Sequence, residues 1–262
     1  MSDDNDDKKG KKGRFEHGAE SVGEVLRKLL ADKGIDIDTA DTRPRCVAGC
    51  GTVVEGDGQW CAPCARADQA KLRAERVKAA YASLPAWSWC RFDDPKFEGI
   101  MRLSPEILSA ARAWVPSHGG LVLLGPTGIG KTAAMVAMAH RILDFAKDHE
   151  LPDDKAARAR GLRFIRATDI IRAKRNHPLG QGDAPLLQAA YDAPILFLDD
   201  LGREPVGDTT IYDVLDARYW AGQSTVVSAN MTRLVLRSRY GEAGERRICE
   251  LGRVVEHTRE AR

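Results

Sequence analysis

Residues 125–132 read Gly125-Pro126-Thr127-Gly128-Ile129-Gly130-Lys131-Thr132, a G-x-x-x-x-G-K-T pattern. No other stretch of this chain restricts its fold so tightly. The pattern needs a strand before it and a helix after it, because its work is to turn successive backbone N–H groups inward around dense negative charge. Both flanks comply. Gly120-Leu-Val-Leu-Leu124 is a short apolar strand, and the run from Thr132 to Leu143 is a strong helix former. Gly125, Gly128 and Gly130 keep Cβ atoms away from a bound polyphosphate. Lys131 supplies a cation for the β/γ oxygens, and the Thr132 hydroxyl suits a Mg²⁺ ion. The helix beginning here adds the positive end of its dipole.

The apolar strand, loop and helix open an alternation that continues downstream. Strands are expected at 121–124, 163–167, 195–198, 225–229 and 253–256. Helices are expected at 131–147, 169–175 (capped by Thr168), 185–191, 209–220, 233–239 and 244–251. Alternating β and α elements with apolar strands predict an α/β fold, a parallel sheet between two layers of helices. Ser104-Pro105 reads as the N-cap and first position of a further helix that stops near Pro116.

The strand Ile195-Leu-Phe-Leu198 runs into Asp199-Asp200. A strand this apolar lies in mid-sheet, and its C-terminal end opens on the ligand crevice. Asp199 there can hold the Mg²⁺ shell, and Asp200 can accept a proton from, or orient, an attacking water. Asn230 ends the next strand. Its amide can hydrogen-bond a γ-phosphate or the lytic water, although asparagine at a strand end is also a common turn residue.

Four of the six cysteines fall within nineteen residues, as Cys46-x₃-Cys50-x₁₀-Cys61-x₂-Cys64. Two close pairs across a short loop have the spacing of a tetrahedral zinc site. The loop between them suggests a hairpin, Val53-Val54 pairing with Gln59-Trp60 around Gly56-Asp57-Gly58. A ribbon of that size has almost no core, so bound Zn²⁺ would supply most of its folding energy. Two disulfides or four free thiols are the alternatives, and a reducing compartment disfavours the first. Cys90 and Cys249 stand alone and read as packing residues.

With 262 residues, the chain has room for one large domain and a small one. The expected organisation is a disordered tail (1–18), an amphipathic helix (19–40), the Cys₄ module (41–68), a helical linker (69–84) and the main domain (85–262). The helix would begin at the capping box Ser21-Val-Gly-Glu24. The N-terminus lacks the apolar core of a signal peptide and no apolar run is long enough to span a bilayer, so a cytoplasmic location without membrane contact is expected.

Net charge is only +2, so any nucleic-acid binding must come from local patches. Between Lys155 and Arg175 stand eight basic residues against one acid, Asp169: Lys155, Arg158, Arg160, Arg163, Arg166, Arg172, Lys174 and Arg175. Arg172, Lys174 and Arg175 share one predicted helix and are the best candidates for DNA phosphates. A solvated helix face is the other reading.

The order of Gly125–Thr132, Ile195–Gly202, Ser228-Ala-Asn230 and Arg239-Tyr-Gly-Glu-Ala-Gly-Glu-Arg-Arg-Ile-Cys249 resembles the AAA+ ATPases of the DnaC/IstB family. That family comprises bacterial and phage helicase loaders and the helper ATPases of some transposons. The similarity covers roughly residues 85–262. It implies ATP with Mg²⁺ as ligand, and self-assembly in which a neighbouring copy's arginine completes the site. Arg246 and Arg247 match that segment, Arg247 fitting better. The chain ends soon after its last strand, which implies no separate helical lid; a sensor-2 arginine would then be missing or supplied by Arg259 or Arg262. By the same resemblance the Cys₄ module would grip the replicative DNA helicase, and single-stranded DNA would be the other partner. An IstB-like transposition helper and a nucleotide-switched adaptor with little hydrolysis remain the alternatives.

Overall fold

A computed structural model describes Asp32 and residues 43–100, 103–148 and 161–258. The expected tail (1–18), nearly all of the expected amphipathic helix (19–40), Lys155, Arg158, Arg160, Arg259 and Arg262 lie outside the described residues. The chain divides into two compact units between Ala67 and Asp68.

In the first unit, the cysteine ribbon pairs differently from the expected hairpin. Arg45 and Val53 form an antiparallel bridge. Cys46 N–H donates to Thr52 C=O at 2.8 Å and Val54 N–H to Pro44 C=O at 2.8 Å. The strand-like segments therefore flank the Cys46–Cys50 turn rather than the Gly56–Gly58 turn. Gly49 and Gly51, with φ of 75° and 81°, let the chain reverse within that first turn. Helix α1 (Ala62–Ser83), most of which belongs to the second unit, starts seven residues earlier than residue 69, the expected start of the helical linker.

In the second unit the elements among the described residues run α2 (Pro95–Ile100), α3 (Pro105–Ala113), a 3₁₀ turn (Pro116–His118), β1 (Gly120–Leu124), α4 (Lys131–Asp148), β2 (Arg163–Arg166), α5 (Ala167–Asn176), α6 (Pro185–Asp192), β3 (Ile195–Leu201), α7 (Thr210–Trp220), β4 (Ser224–Ala229), α8 (Arg233–Glu250) and β5 (Gly252–Glu256). The five strands form one parallel sheet in the order β2-β3-β4-β1-β5.

Successive side chains of a strand point to opposite faces, and in this sheet both faces are covered. Leu121, Leu123, Phe197 and Val226 pack with Ile107, Met135 and Met138 on the α3/α4 side. Val122, Leu124, Leu196, Leu198 and Val227 pack with Ile170, Leu187, Val214 and Leu236 on the α5–α8 side. The result is the three-layer α/β architecture that the alternation predicted. Phe197 shows the density of this packing: its ring stacks on Phe164 at 6.1 Å and meets the edge of Trp114 at 5.9 Å. Truncating it to alanine would cost about 3–5 kcal/mol.

Three boundaries differ from expectation. Helix α5 begins at Ala167, so Thr168 lies inside its first turn and is not the cap; Arg166 holds the N-cap position without a side-chain capping bond. The helices expected at 233–239 and 244–251 are both present within the run Arg233–Glu250, separated at Gly241, whose φ of 75° and ψ of 174° break the helical path; only their bounds at the break differ. Strand β3 runs on to Leu201, because pairing with β4 resumes at Leu201–Ala229 after a register shift.

Candidate functional site

Strand order decides what meets at the C-terminal edge of the sheet. Lys131 follows β1, Asp199 and Asp200 close β3, and β4 lies between those strands, so Asn230 at its end falls between them. This convergence joins residues about 70–100 positions apart in sequence at the C-terminal edge of the sheet, where folds of this kind place their ligands.

The phosphate loop is held at both ends. Gly125 N–H donates to Met231 C=O at 3.0 Å, just beyond β4, and His257 N–H donates to Leu124 C=O at 3.0 Å, just beyond β5. Ser104 caps α3 through Ile107 N–H and donates its own N–H to Ile129 C=O at 3.2 Å. A Cβ on Gly130 would stand 2.2 Å from Leu103 Cδ2, and φ there is 84°. A larger residue at 130 is therefore disfavoured chiefly by backbone conformation, and it would also displace the Leu103 side chain.

Lys131 is buried and donates to the carbonyls of Gly125 and Pro126, both at 2.8 Å. Burial pulls its ammonium down to about 8, partly opposed by the carboxylates of Asp199 and Asp200. Thr132 Oγ1 donates to Asp199, 3.0 and 3.1 Å from the two carboxylate oxygens. Burial also pushes the Asp199 carboxyl above the ordinary range, while the hydroxyls of Ser228 and Thr132 pull the other way. A hydroxyl and a carboxylate this close are the donor set that a hard divalent ion takes from a phosphate loop and its acidic strand.

Asp200 has φ of 59°, the one described non-glycine residue in the left-handed region. Its N–H donates to Ser228 Oγ at 3.2 Å, and its carboxylate accepts from Asn230 Nδ2 at 2.7 Å. Ser228 Oγ also donates to Asp199. One buried hydroxyl thus braces both acids. Sequence reasoning did not single out Ser228 for this role; the available signal was a small polar residue inside an otherwise apolar strand.

The expected arginines are placed unequally. Arg247 stacks over the rings of Tyr219 and Trp220, 4.0 and 5.0 Å from their centroids. Its Nε stands 2.7 Å from Asp216 Oδ1, off line for a hydrogen bond. Arg246 is 72% exposed and only loosely paired with Glu250 at 3.8 Å. On α5, Arg172 and Arg175 line an open groove of about 370 Å³ with Thr168, Asn176 and Arg203. Arg172 is 3.8 Å from Asp169, whereas Lys174 is tied to Thr210 Oγ1 at 2.6 Å. Asp169 is chiefly engaged by the fork of Arg166, at 2.8 and 3.1 Å.

In the first unit the sulfurs of Cys46, Cys50, Cys61 and Cys64 all lie within 4.8 Å of one another, and none is in a disulfide. A tetrahedron with Zn–S bonds of about 2.3 Å has sulfurs about 3.8 Å apart. The set therefore fits a tetrahedral thiolate site with small adjustment. Cys61 N–H donates to Cys46 Sγ at 3.2 Å, a main-chain contact that stabilises sulfur carrying negative charge.

No family model matches the chain. A protein of Sinorhizobium fredii, named for a suggested role as an insertion sequence ATP-binding protein, is 26% identical over 124 residues, 45% of this chain and 44% of that one. The match thus spans less than half the length of this curated relative. Among solved structures, the DnaC helicase loader is 25% identical, with 58% of this chain and 86% of that one covered at a TM-score of 0.43. DnaI is 20% identical, with 70% and 90% covered at 0.43. In the order of its motifs along the sequence, this chain resembles the DnaC/IstB-like AAA+ ATPases.

Proposed function

We propose that the chain is an ATPase that loads a replicative DNA helicase onto single-stranded DNA. The observation carrying the ATPase half is the convergence of Lys131, Thr132, Asp199, Asp200 and Asn230 on one crevice. Backbone amides of residues 125–132 would cradle the phosphates, with Lys131 leaving its loop carbonyls to neutralise them. Thr132 and Asp199 would hold Mg²⁺, whose chemistry is to offset charge on the β/γ oxygens. Asp200 orients the attacking water and accepts its proton, and Asn230 fixes the Asp200 carboxylate while presenting its amide toward the γ-phosphate.

A second copy would complete the pocket with an arginine; a finger of this kind contributes about 10³–10⁵ in rate. Arg246 is free to extend toward a neighbour, while Arg247 would first have to leave Tyr219 and Asp216. Arg172 and Arg175 would track strand phosphates along their groove, with Lys174 contributing once released from Thr210. The Cys₄ site would take Zn²⁺ and shape the unit that holds the helicase.

A transposition helper acting on duplex DNA is the second reading, favoured by the likeness to an insertion sequence protein. The two separate on partner: the Cys₄ unit within the full chain recovers a hexameric helicase under the first reading and a transposase under the second. The test of the common part is Lys131→Ala, which should abolish ATP binding and ATP-dependent loading while leaving metal content unchanged. Normal turnover in that variant refutes the site assignment. Arg172→Glu with Arg175→Glu should weaken single-strand binding and flatten its salt dependence.

A further inference from the structure

Glu204 stands four residues past Asp200, and its side chain is only 1% exposed. Glutamate is rarely buried to this degree unless it is paired. Its carboxylate accepts from Gly202 N–H at 2.9 Å and from the Tyr240 hydroxyl. The Arg239 guanidinium lies 3.5 Å from that carboxylate and donates to the Glu204 main-chain carbonyl. Gly202 has φ of 91°, which disfavours any side chain at this corner, and a Cβ would stand 2.0 Å from Met231 Cε and displace that flexible side chain.

These bonds join the loop that follows β3 just beyond Asp200 (the Asp200 loop) to Arg239-Tyr240, the residues just before the break in α8. The next residue is Gly241, where the helical path is interrupted. Beyond it comes the turn carrying Arg246 and Arg247. Two ion pairs straddle the break, Arg233 with Glu245 and Arg237 with Glu242 at 2.7 Å. An open groove of about 350 Å³ borders the joint, lined by Pro205, Thr209, Tyr212, Ala243 and Gly244. The second half of α8 is seated by Ile248 in the core and tied to the first half by Arg233–Glu245, so the stance of the first half is passed across the break.

We propose that Glu204 is a positioning residue that ties the Asp200 loop to α8 and sets the stance of the Arg246–Arg247 turn toward a neighbouring copy. In this role it acts through Arg239 and Tyr240 and not by contact with nucleotide. The inference rests on the reading that a second copy's arginine completes the pocket.

The test is Glu204→Gln in the full chain with ATP and Mg²⁺. Turnover should fall about tenfold or more, with KM for ATP within about twofold of the unmodified protein. Mixing separates its two possible routes of action. A Lys131→Ala copy has no working pocket of its own but carries an intact arginine turn. Mixed with Glu204→Gln, it should raise turnover per Glu204→Gln copy about threefold or more, because a sound arginine now serves a sound pocket. Tyr240→Phe, which removes only one hydroxyl, should reproduce both results and keeps the test available if Glu204→Gln does not fold.

The control mixes Lys131→Ala with the double variant Arg246→Ala, Arg247→Ala. If that control rises and the Glu204→Gln and Tyr240→Phe mixtures do not, the inference is overturned while arginine completion in trans stands. If the control itself stays flat, completion in trans fails and the inference falls with it. An increase in KM without loss of turnover would also overturn the proposal, because it would place Glu204 in ground-state nucleotide binding.

Discussion

Ser228→Ala is the sharpest probe of the crevice, since one hydroxyl serves both acids. In the unmodified chain Ser228 Oγ donates to Asp199 and accepts from Asp200 N–H at 3.2 Å. Its residue is 1% exposed, so water cannot take its place at no cost. A hydrogen bond to a charged group contributes about 1.5–3 kcal/mol, which corresponds to about 10- to 150-fold. Loss of an outer-shell partner of a metal ligand costs a similar 10- to 100-fold. Thr132 still donates to Asp199 at 3.0 Å, so the loss should lie near the lower end, about tenfold. The assay is ATP turnover titrated with Mg²⁺, run beside a thermal melt. Half-saturating Mg²⁺ should rise, turnover should fall, and the melt should drop by only a few degrees, as expected for about 1 kcal/mol. If half-saturating Mg²⁺ and turnover both stay within about twofold, Ser228 does not brace the acids and the site has been assembled wrongly.

Other consequences can be checked separately. Arg218 is fully buried with no acidic partner among the described residues; it donates to the carbonyls of Ala190, Tyr191 and Ala193 at the end of α6, to Ser224 C=O, and to Gln223 and Thr225 side chains. Arg218→Met should cost about 3–5 kcal/mol and lower the melting temperature by about 10 °C, because several buried carbonyls lose a donor; calorimetry showing a change under about 2 °C would contradict this. His140 is buried against Cys90 C=O, and burial holds its imidazole below the usual value. The unfolded chain then takes up a proton near pH 6.5 that the folded chain resists, so stability is full above that pH and declines as pH falls below it. Melts between pH 7.5 and 5 should show this decline, and His140→Gln should flatten it. For the cysteine cluster, the purified full chain should carry about one zinc, released by a strong chelator with faster proteolysis within residues 43–67 and unchanged ATP affinity; metal-free protein with intact protease resistance would rule out a structural zinc.

Legibility in the sequence followed locality. The phosphate loop was readable because its eight residues are contiguous and its flanks repeat the same message. The Asp199-Asp200 pair was readable because an apolar run ending in two acids fits a central strand that opens on a crevice and little else. Ser228 and Glu204 were not, since each acquires its role from a partner 28 to 36 residues away. A serine in Thr225-Val-Val-Ser-Ala229 looks like one more strand former until β4 is laid beside β3. The cysteine ribbon failed in a related way. The Gly56–Gly58 turn advertised a hairpin, but hydrogen bonding chose the upstream segment 44–46, whose approach is set by glycines in and beside the first cysteine pair. The Gly241 break was readable as a gap between two helices, and the structure separates two helical halves there, with a shorter gap than expected.

The bend and the acidic strand end share a physical logic. In a regular strand consecutive side chains face opposite sides, so Asp199 and Asp200 could not both serve one crevice. The register shift between Leu198 and Leu201, with Asp200 at positive φ, breaks that rule and brings one acid to Thr132 and the other to Asn230. A left-handed non-glycine residue costs about 1–2 kcal/mol. Here the cost is offset locally: Ser228 accepts the displaced Asp200 N–H, and Asn230 fastens its carboxylate. Downstream, Gly202 and Glu204 prolong the same departure from the sheet and carry it to α8. One continuous hydrogen-bonded segment thus runs from the second acid to the arginine helix, which is the arrangement required if events at the phosphates are to be felt at the surface a neighbour would meet.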